Sequence, residues 1–223
     1  MTSLKVNKSL VKFDSWVEEV GLERKEYQRE GVSWMVDKEV EEIPVANTRG
    51  GIIADEMGLG KTIQMLGLIY SNFVSKTLIV VPLSLLMQWK TEIYRLFGHK
   101  VFLYYGANKS KKDILEKLEE APIVLTTYGG ICNRCKKTKN KNKLMKEDSH
   151  LMNINWNRII FDEGHKLKNK NTNVTSSAIK LKGEMKWIVT GTPIQNSKKD
   201  FYTLCDVIGI PSEFYSDESN ILT

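Results

Sequence analysis

With 223 residues, 41% of them hydrophobic, the chain can bury one substantial α/β domain or two small ones. A net charge of +6 at pH 7 gives a mild bias toward a polyanion such as nucleic acid or nucleotide, although solvated lysine-rich faces produce the same figure. Three cysteines argue against a secreted disulfide scaffold, and neither the start, Met1–Lys8, nor the longest apolar stretch, Leu78–Met87, has the length of apolar sequence that crosses a bilayer, roughly 20 residues. A soluble intracellular protein with no membrane partner is expected.

Residues 10–20 place Leu10, Phe13, Trp16, Val17 and Val20 on one face of a short helix. A second helix runs from Leu22 through Met35, with Tyr27, Gly31, Trp34 and Met35 facing the core. Gln28 lies just off that face. Alone, it reads as an exposed helix glutamine; the other reading is an amide that reads an adenine edge, since one amide both donates and accepts. Residues 39–49 are charged, include Pro44, and read as a loop. Gly51–Ala54 then forms a short buried strand, and Ile63–Tyr70 has helical spacing. Between them stands Asp55-Glu56-Met57-Gly58-Leu59-Gly60-Lys61-Thr62. Strand, glycine-rich turn and Lys-Thr at a helix start make a phosphate-binding loop, because backbone N–H groups turn inward and the positive helix end faces the anion. Lys61 reaches the outer phosphates and Thr62 ligates magnesium. One position departs from the usual pattern: Asp55 stands six residues before Lys61, where glycine is expected.

The remaining chain alternates. Strands are predicted at Thr77–Val81, Val101–Tyr105, Ile123–Thr127, Arg158–Phe161 and Lys186–Thr190. Helices are predicted over Ser84–Leu96 from a serine cap, over Ser110–Glu120 with Ile114, Leu115 and Leu118 inward, over Val174–Leu181, and from about Lys198 to Val207. Short apolar strands separated by helices indicate an α/β fold with a parallel sheet covered on both faces, and such sheets bind ligands at the carboxyl ends of their strands. Residues 132–150 break the alternation with a lysine-rich, exposed insertion. Cys132-x-x-Cys135 is half of a zinc pattern, but completing it takes His165 from another motif, so no zinc is expected.

The strand Arg158–Phe161 ends in Asp162-Glu163-Gly164-His165. Adjacent carboxylates at a parallel strand end are costly unless a cation or a proton is present. Beside a phosphate loop that cation is Mg²⁺, held by Asp162 opposite Thr62. Glu163 then orients and polarises the attacking water. The next strand ends in Thr190-Gly191-Thr192-Pro193-Ile194-Gln195-Asn196, whose hydroxyls, with His165, are placed to report the nucleotide state across the sheet.

Asp55–Gln64, Asp162–His165 and Thr190–Asn196 resemble motifs I, II and III of the Swi/Snf-type helicase-like ATPases, superfamily-two motors on double-stranded DNA. Asp55 in place of the first glycine is that family's usual form. Tyr27–Met35 resembles its Q-type adenine motif, Val80–Trp89 its motif Ia, Leu125–Gly129 its motif Ib, and Phe201–Leu204 the helix that closes its first lobe. The likeness covers about residues 22–210, leaving 1–21 as an N-terminal extension and 211–223 as a tail toward a second lobe.

The resemblance implies a RecA-like lobe with a mostly parallel sheet. It implies ATP held by Gln28 and by Asp55, Met57, Gly58, Leu59, Gly60, Lys61 and Thr62, Mg²⁺ held by Thr62 and Asp162, and catalysis by Lys61, Asp162 and Glu163. It places His165, Thr190 and Thr192 in coupling, and Ser84, Thr126 and Thr127 on the phosphates of duplex DNA, with Trp89 packing its helix rather than stacking on a base. Asn155–Ile160 and the lysine-rich insertion are similar to the branch of Rad-type DNA-repair translocases and viral relatives, which implies a nuclear protein, or a cytoplasmic one if viral. In this family a second lobe supplies transition-state arginines. The chain ends soon after the first lobe, so it is expected to bind ATP weakly and to hydrolyse it very slowly. The competing readings are an RNA helicase lobe, a non-catalytic single-lobe module that binds DNA or a partner, and a small phosphate-loop kinase.

Overall fold

A computed structural model of the chain describes residues 2–110, 112–132, 134–137, 144–193 and 198–216, with backbone alone for residues 2, 3, 45, 110, 134–137, 144–147 and 216. Two helices come first, α1 (Thr2–Glu19) and α2 (Glu26–Val40). The elements then alternate: β1 (Arg49–Ile53), α3 (Lys61–Ser71), β2 (Thr77–Val81), α4 (Leu86–Phe97), β3 (Phe102–Tyr104), α5 (Ile114–Glu120), β4 (Ile123–Thr127) and the short α6 (Tyr128–Ile131). Strands β5 (Arg134–Lys137) and β6 (Leu144–Glu147) form a hairpin, followed by β7 (Trp156–Asp162), α7 (Asn173–Lys180), β8 (Gly183–Val189), α8 (Lys198–Ile208) and α9 (Glu213–Ser216). Among the described residues no helix is long and apolar enough to cross a membrane.

Six strands make one sheet in the order β1-β8-β7-β2-β4-β3, every neighbour parallel. Alternation along each strand splits the core in two. Ile79, Val81, Leu125, Ile160, Trp187 and Val189 face one side, where α1 to α4 pack. Leu78, Val80, Val124, Ile159, Phe161 and Ile188 face the other, where α5 to α8 pack. β2 (Thr-Leu-Ile-Val-Val) is buried on both faces throughout, which is why it is apolar after Thr77, whose hydroxyl is satisfied by Val74 O. The expected α/β parallel architecture is the observed one.

Several expectations are corrected. The first helix extends back to Thr2. On α2 the buried face is Gln28, Val32, Met35, Val36 and Glu39, while Tyr27 and Trp34 are exposed. The helix is rotated relative to an aromatic-inward reading, and Trp34 reaches the core only with part of its ring, edge-on to the buried Trp187 of β8 at 5.5 Å between centroids. Residues 39–40 therefore belong to the helix and not to a loop. Ser84 does not cap α4, which starts at Leu86 after a turn of 3₁₀ helix at Leu83–Leu85. Leu115 is exposed, whereas Ile114 and Leu118 are buried. The lysine-rich segment contains the β5–β6 hairpin. The side chains of its lysines and of Cys135 are not described, and Ile194, Gln195 and Asn196 lie outside the described residues.

One buried cation makes a pH prediction. Lys186 on β8 is 8% exposed, and burial pushes its ammonium down to about 8 from the ordinary 10.5. The unfolded chain thus holds this proton more tightly, so stability rises with pH through the interval between those values. Lys186→Met is expected to be more stable than the wild type at neutral pH and to lose that rise, which urea unfolding at two pH values on either side of about 8 measures.

Candidate nucleotide site

The loop and the two strand-end motifs meet because β1, β8 and β7 are neighbours in register. Ile53 pairs with Val189, and Val189 pairs with Asp162, so the chain leaves all three strands at one level. Thr190 N–H then donates to Ile53 O at 2.9 Å, extending the contact past the strand ends.

After β1 the chain turns through Gly58 (φ 90°) and Gly60 (φ 73°), both in the left-handed region that glycine enters without a Cβ penalty. α3 begins at Lys61. Lys61 Nζ donates to the carbonyls of Asp55 and Glu56, 2.8 Å each, so these oxygens occupy the ammonium where phosphate oxygens would. Thr62 is half-buried in the first turn of α3. Asp55 accepts from Gln64 Nε2 at 2.7 Å, which explains how an aspartate stands where glycine is usual: its carboxylate is tied to the helix that the loop starts.

Gln28 is 7% exposed, and its Nε2 donates to Leu59 O at 3.1 Å, bracing the loop from α2. The exposed-glutamine alternative is thus excluded. A groove of about 580 Å³ beside it is lined by Tyr27, Trp34, Ile53, Asp55, Leu59 and Gln64. Met57, at the tip of the loop, is 81% exposed.

At the end of β7, Asp162 is 7% exposed. Its Oδ1 accepts the Glu163 N–H at 3.0 Å and its Oδ2 accepts the Trp89 Nε1–H at 2.7 Å. Burial raises its carboxyl above the usual range, against the lowering effect of these bonds. Glu163 follows at φ 53°, ψ 53°, an uncommon conformation for a residue with a side chain. Gly164 packs so closely that a Cβ there would lie 2.2 Å from Ile188 Cγ2. This tight turn leaves the Glu163 carboxylate partly exposed, with His165 Nδ1 3.0 Å from its Oε2. Thr190 is fully buried and its Oγ1 accepts the Thr192 N–H at 3.2 Å. His165 is therefore paired within its own turn, and the link to the β8 end runs through Lys168, whose Nζ donates to Thr192 O at 2.5 Å.

The residues expected to meet a polynucleotide are placed unevenly. Ser84 is exposed after β2. Thr126 is fully buried and donates its hydroxyl to Tyr104 O at 2.9 Å, so that hydroxyl is spent inside the sheet and is corrected out of the phosphate set. Thr127 borders a cleft of about 360 Å³ with Pro82, Leu83, Tyr105, Tyr128 and Gly129, and Lys109 and Lys166 stand at its edge. Trp89 is 2% exposed and packs in the core. Among the described residues no cluster of three His, Cys, Asp or Glu converges on a metal position.

The SNF2-related domain family matches residues 27–218, most of the chain. The chain belongs to the SNF2-related family. An uncharacterized ATP-dependent helicase of Schizosaccharomyces pombe is 38% identical over 212 residues, covering 87% of the chain and 20% of that protein. The DNA repair protein RAD5 of Candida albicans is 40% identical over 186 residues, covering 71% of the chain and 17% of that protein. The chain thus spans about a fifth of the length of these relatives. Among solved structures, the Sulfolobus solfataricus SWI2/SNF2 ATPase core in complex with double-stranded DNA superposes with a TM-score of 0.65 at 27% identity, covering 87% of this chain and 37% of that one. The fold is a single RecA-like P-loop lobe of this family.

Three side chains to which sequence patterns give no role of their own brace the site of this SNF2-related lobe: Gln64, Tyr128 and Lys168. Gln64 carried a signal, a polar residue on an apolar helix three positions after Lys61, where it lies on the same face. Tyr128, whose hydroxyl donates to Asp162 O at 2.6 Å, lies within the stretch that resembles motif Ib, but its bond to Asp162 was not legible there, and Lys168 carried no signal, since both partners are backbone atoms remote in sequence.

Gly60 offers a test of the loop. A Cβ there would be strained by φ 73° and would lie 2.4 Å from Gln28 Nε2. Gly60→Ala is expected to weaken nucleotide binding about tenfold or more, the equivalent of roughly 1–2 kcal/mol of backbone strain alone. A fluorescent-nucleotide titration measures it.

Proposed function

We propose that this lobe binds Mg·ATP and supplies half of the hydrolytic site of a duplex-DNA translocase of the DNA-repair branch. One observation carries the reading: the phosphate loop, Asp162-Glu163 and Thr190–Thr192 end neighbouring strands at one level of the sheet. The residues fit magnesium. Asp162 is a buried carboxylate whose two hydrogen-bond donors, an indole and a backbone N–H, are both neutral, and Thr62 brings a hydroxyl from the first turn of α3. When bound, Mg²⁺ supplies charge neutralisation at the outer phosphates.

Lys61 releases the Asp55 and Glu56 carbonyls and takes phosphate oxygens in their place. Gly58 and Gly60 let the backbone N–H groups approach the anion. Gln28 holds the loop against α2 through Leu59 and leaves its side-chain carbonyl for the base. Glu163, partly exposed, polarises the attacking water in line with the terminal phosphate. Ser84, Thr127 and the lysines at the cleft edge hold phosphates of one DNA strand, an interaction that positions without reading bases and weakens with salt. The identity to RAD5 supports the repair branch.

In this reading a second lobe brings the arginines that stabilise transition-state charge, a contribution of roughly 10³–10⁵ in rate. The 223-residue chain by itself is then expected to bind ATP weakly and to hydrolyse it very slowly, with duplex DNA or without. Phosphate release from the purified chain, with duplex DNA and with RNA, tests this. DNA-stimulated turnover within about tenfold of a two-lobed relative would overturn the division of labour, and stimulation by RNA in preference to duplex DNA would overturn the substrate.

A further inference from the structure

The Asp162 carboxylate and the polynucleotide cleft are joined by two side chains. Trp89 lies in the first turns of α4, five residues after the exposed Ser84, and donates Nε1–H to Asp162 Oδ2 at 2.7 Å. Tyr128 directly follows Thr127, borders the cleft, and donates its hydroxyl to Asp162 O at 2.6 Å. Each of the two segments that flank the cleft therefore carries, within about two turns of chain, a donor to the same residue of the nucleotide site.

The arrangement is specific in its choice of acceptor. Buried indoles need an acceptor: Trp16 uses Leu96 O and Trp156 uses Leu151 O, while Trp187 donates to the Glu39 carboxylate, which the Arg158 guanidinium already holds away from the strand ends. Trp89 instead uses the carboxylate oxygen that stands over the strand end. Tyr128 is brought into reach by a turn that tolerates no side chain at Gly130, where a Cβ would lie 2.1 Å from Thr126 Oγ1. α6 can fold tightly onto β4 only with glycine there, and its first residue then covers the end of β7. Register supports the same picture, since β4 and β7 both flank β2, with Val80 opposite Thr126 on one side and Phe161 on the other.

We propose that Trp89 and Tyr128 are positioning residues that link the polynucleotide cleft to the nucleotide site, by setting the place of Asp162 according to whether the cleft is filled. The inference rests on the function proposed above and assigns its route. Phosphates gripped at Ser84 and Thr127 fix the starts of α4 and α6, hence the two donors, hence the carboxylate that faces the nucleotide. Linkage is reciprocal, so nucleotide in the site must tighten duplex binding by the factor by which duplex tightens nucleotide binding.

The test uses the 223-residue chain and the variants Trp89→Phe, Tyr128→Phe and the double variant, each of which keeps an aromatic ring and removes a donor. The duplex affinity of each is measured with a labelled oligonucleotide in MgCl₂, with and without a non-hydrolysable ATP analogue, alongside urea unfolding. The readout is the ratio of the two affinities, which a loss of packing alone does not move. The wild type is expected to show a ratio of roughly five or more, the lower end of ordinary coupling, and the double variant a ratio near one. A double variant that keeps the wild-type ratio overturns the proposal. Tyr128→Phe, which removes one hydroxyl, decides the same question if the Trp89 variants do not fold: a ratio at the wild-type value counts against the proposal and a reduced one supports it. A wild type that binds both ligands with no linkage overturns the inference and leaves the proposed function standing, whereas a wild type that binds neither overturns both.

Discussion

Glu163→Gln is expected to lower ATP turnover by roughly 10²–10⁴, the usual contribution of a general base, while nucleotide binding survives. The local structure explains why the two effects separate. The hydrogen bond that residue 163 gives to Asp162 Oδ1 comes from its backbone, so glutamine retains it. The left-handed backbone at 163 is held by the close packing of Gly164 on Ile188, which the substitution does not touch. The side chain is partly exposed, and glutamine matches its shape, so the fold loses little. What disappears is a carboxylate able to take a proton from water. Lys61→Ala fails differently. It removes the cation that meets the phosphates and also the brace on the Asp55 and Glu56 carbonyls, so binding is lost together with turnover. Phosphate release and nucleotide titration, in a two-lobed protein carrying this lobe, distinguish the cases. Turnover by the glutamine variant near the wild-type rate would remove Glu163 from the base role.

Features dictated by local chemistry were legible in the sequence. β2 and β4 were delimited residue for residue, because a strand buried on both faces is a closed apolar run ended by Pro82 or by a turn. The loop was legible because Gly58, Gly60 and Lys61 have local reasons to stand together. The rotation of α2 was not, since Tyr27 and Trp34 look like core residues and are half-exposed at the sheet edge, while Gln28 and Glu39 look like surface residues and are buried. A buried charge needs a partner, and the partner of Glu39 is 119 positions away. Thr126 misled for the same reason: its hydroxyl reads as a phosphate ligand until Tyr104 O is seen beside it. Periodicity reports the environment of a segment, whereas polar pairs between segments are fixed only by the assembled sheet.

The largest stability effect is expected at that remote pair. Glu39 and Arg158 are both fully buried at the side chain, with Arg158 Nε 2.6 Å from Glu39 Oε1 and Nη2 2.5 Å from Oε2. Glu39 also accepts from Trp187 Nε1 at 2.9 Å and from Asn72 Nδ2 at 2.7 Å, and Arg158 Nη2 donates to Asn72 O at 2.7 Å. Removing either charge strands the other in an apolar interior, so Glu39→Ala or Arg158→Ala is expected to cost about 3–5 kcal/mol. For a domain of this size that lowers Tm by roughly 6–20 °C. Glu39→Met with Arg158→Met removes both charges and is expected to recover part of the loss. It cannot recover all of it, because Trp187 and Asn72 then lose their acceptor, at about 1–3 kcal/mol for each group left unpaired. Thermal and urea unfolding of the two single variants and the double one give the coupling directly. The network joins the C-terminal ends of α2 and α3 to Arg158 near the start of β7 and to Trp187 in the second half of β8, elements that also carry Gln28, Lys61 and Asp162 and lead into Thr190. It therefore fixes the angles between them without touching the chemistry. Below its own transition each variant should still bind nucleotide, and a loss of nucleotide affinity in a variant that remains fully folded would show that the network does more than hold the frame.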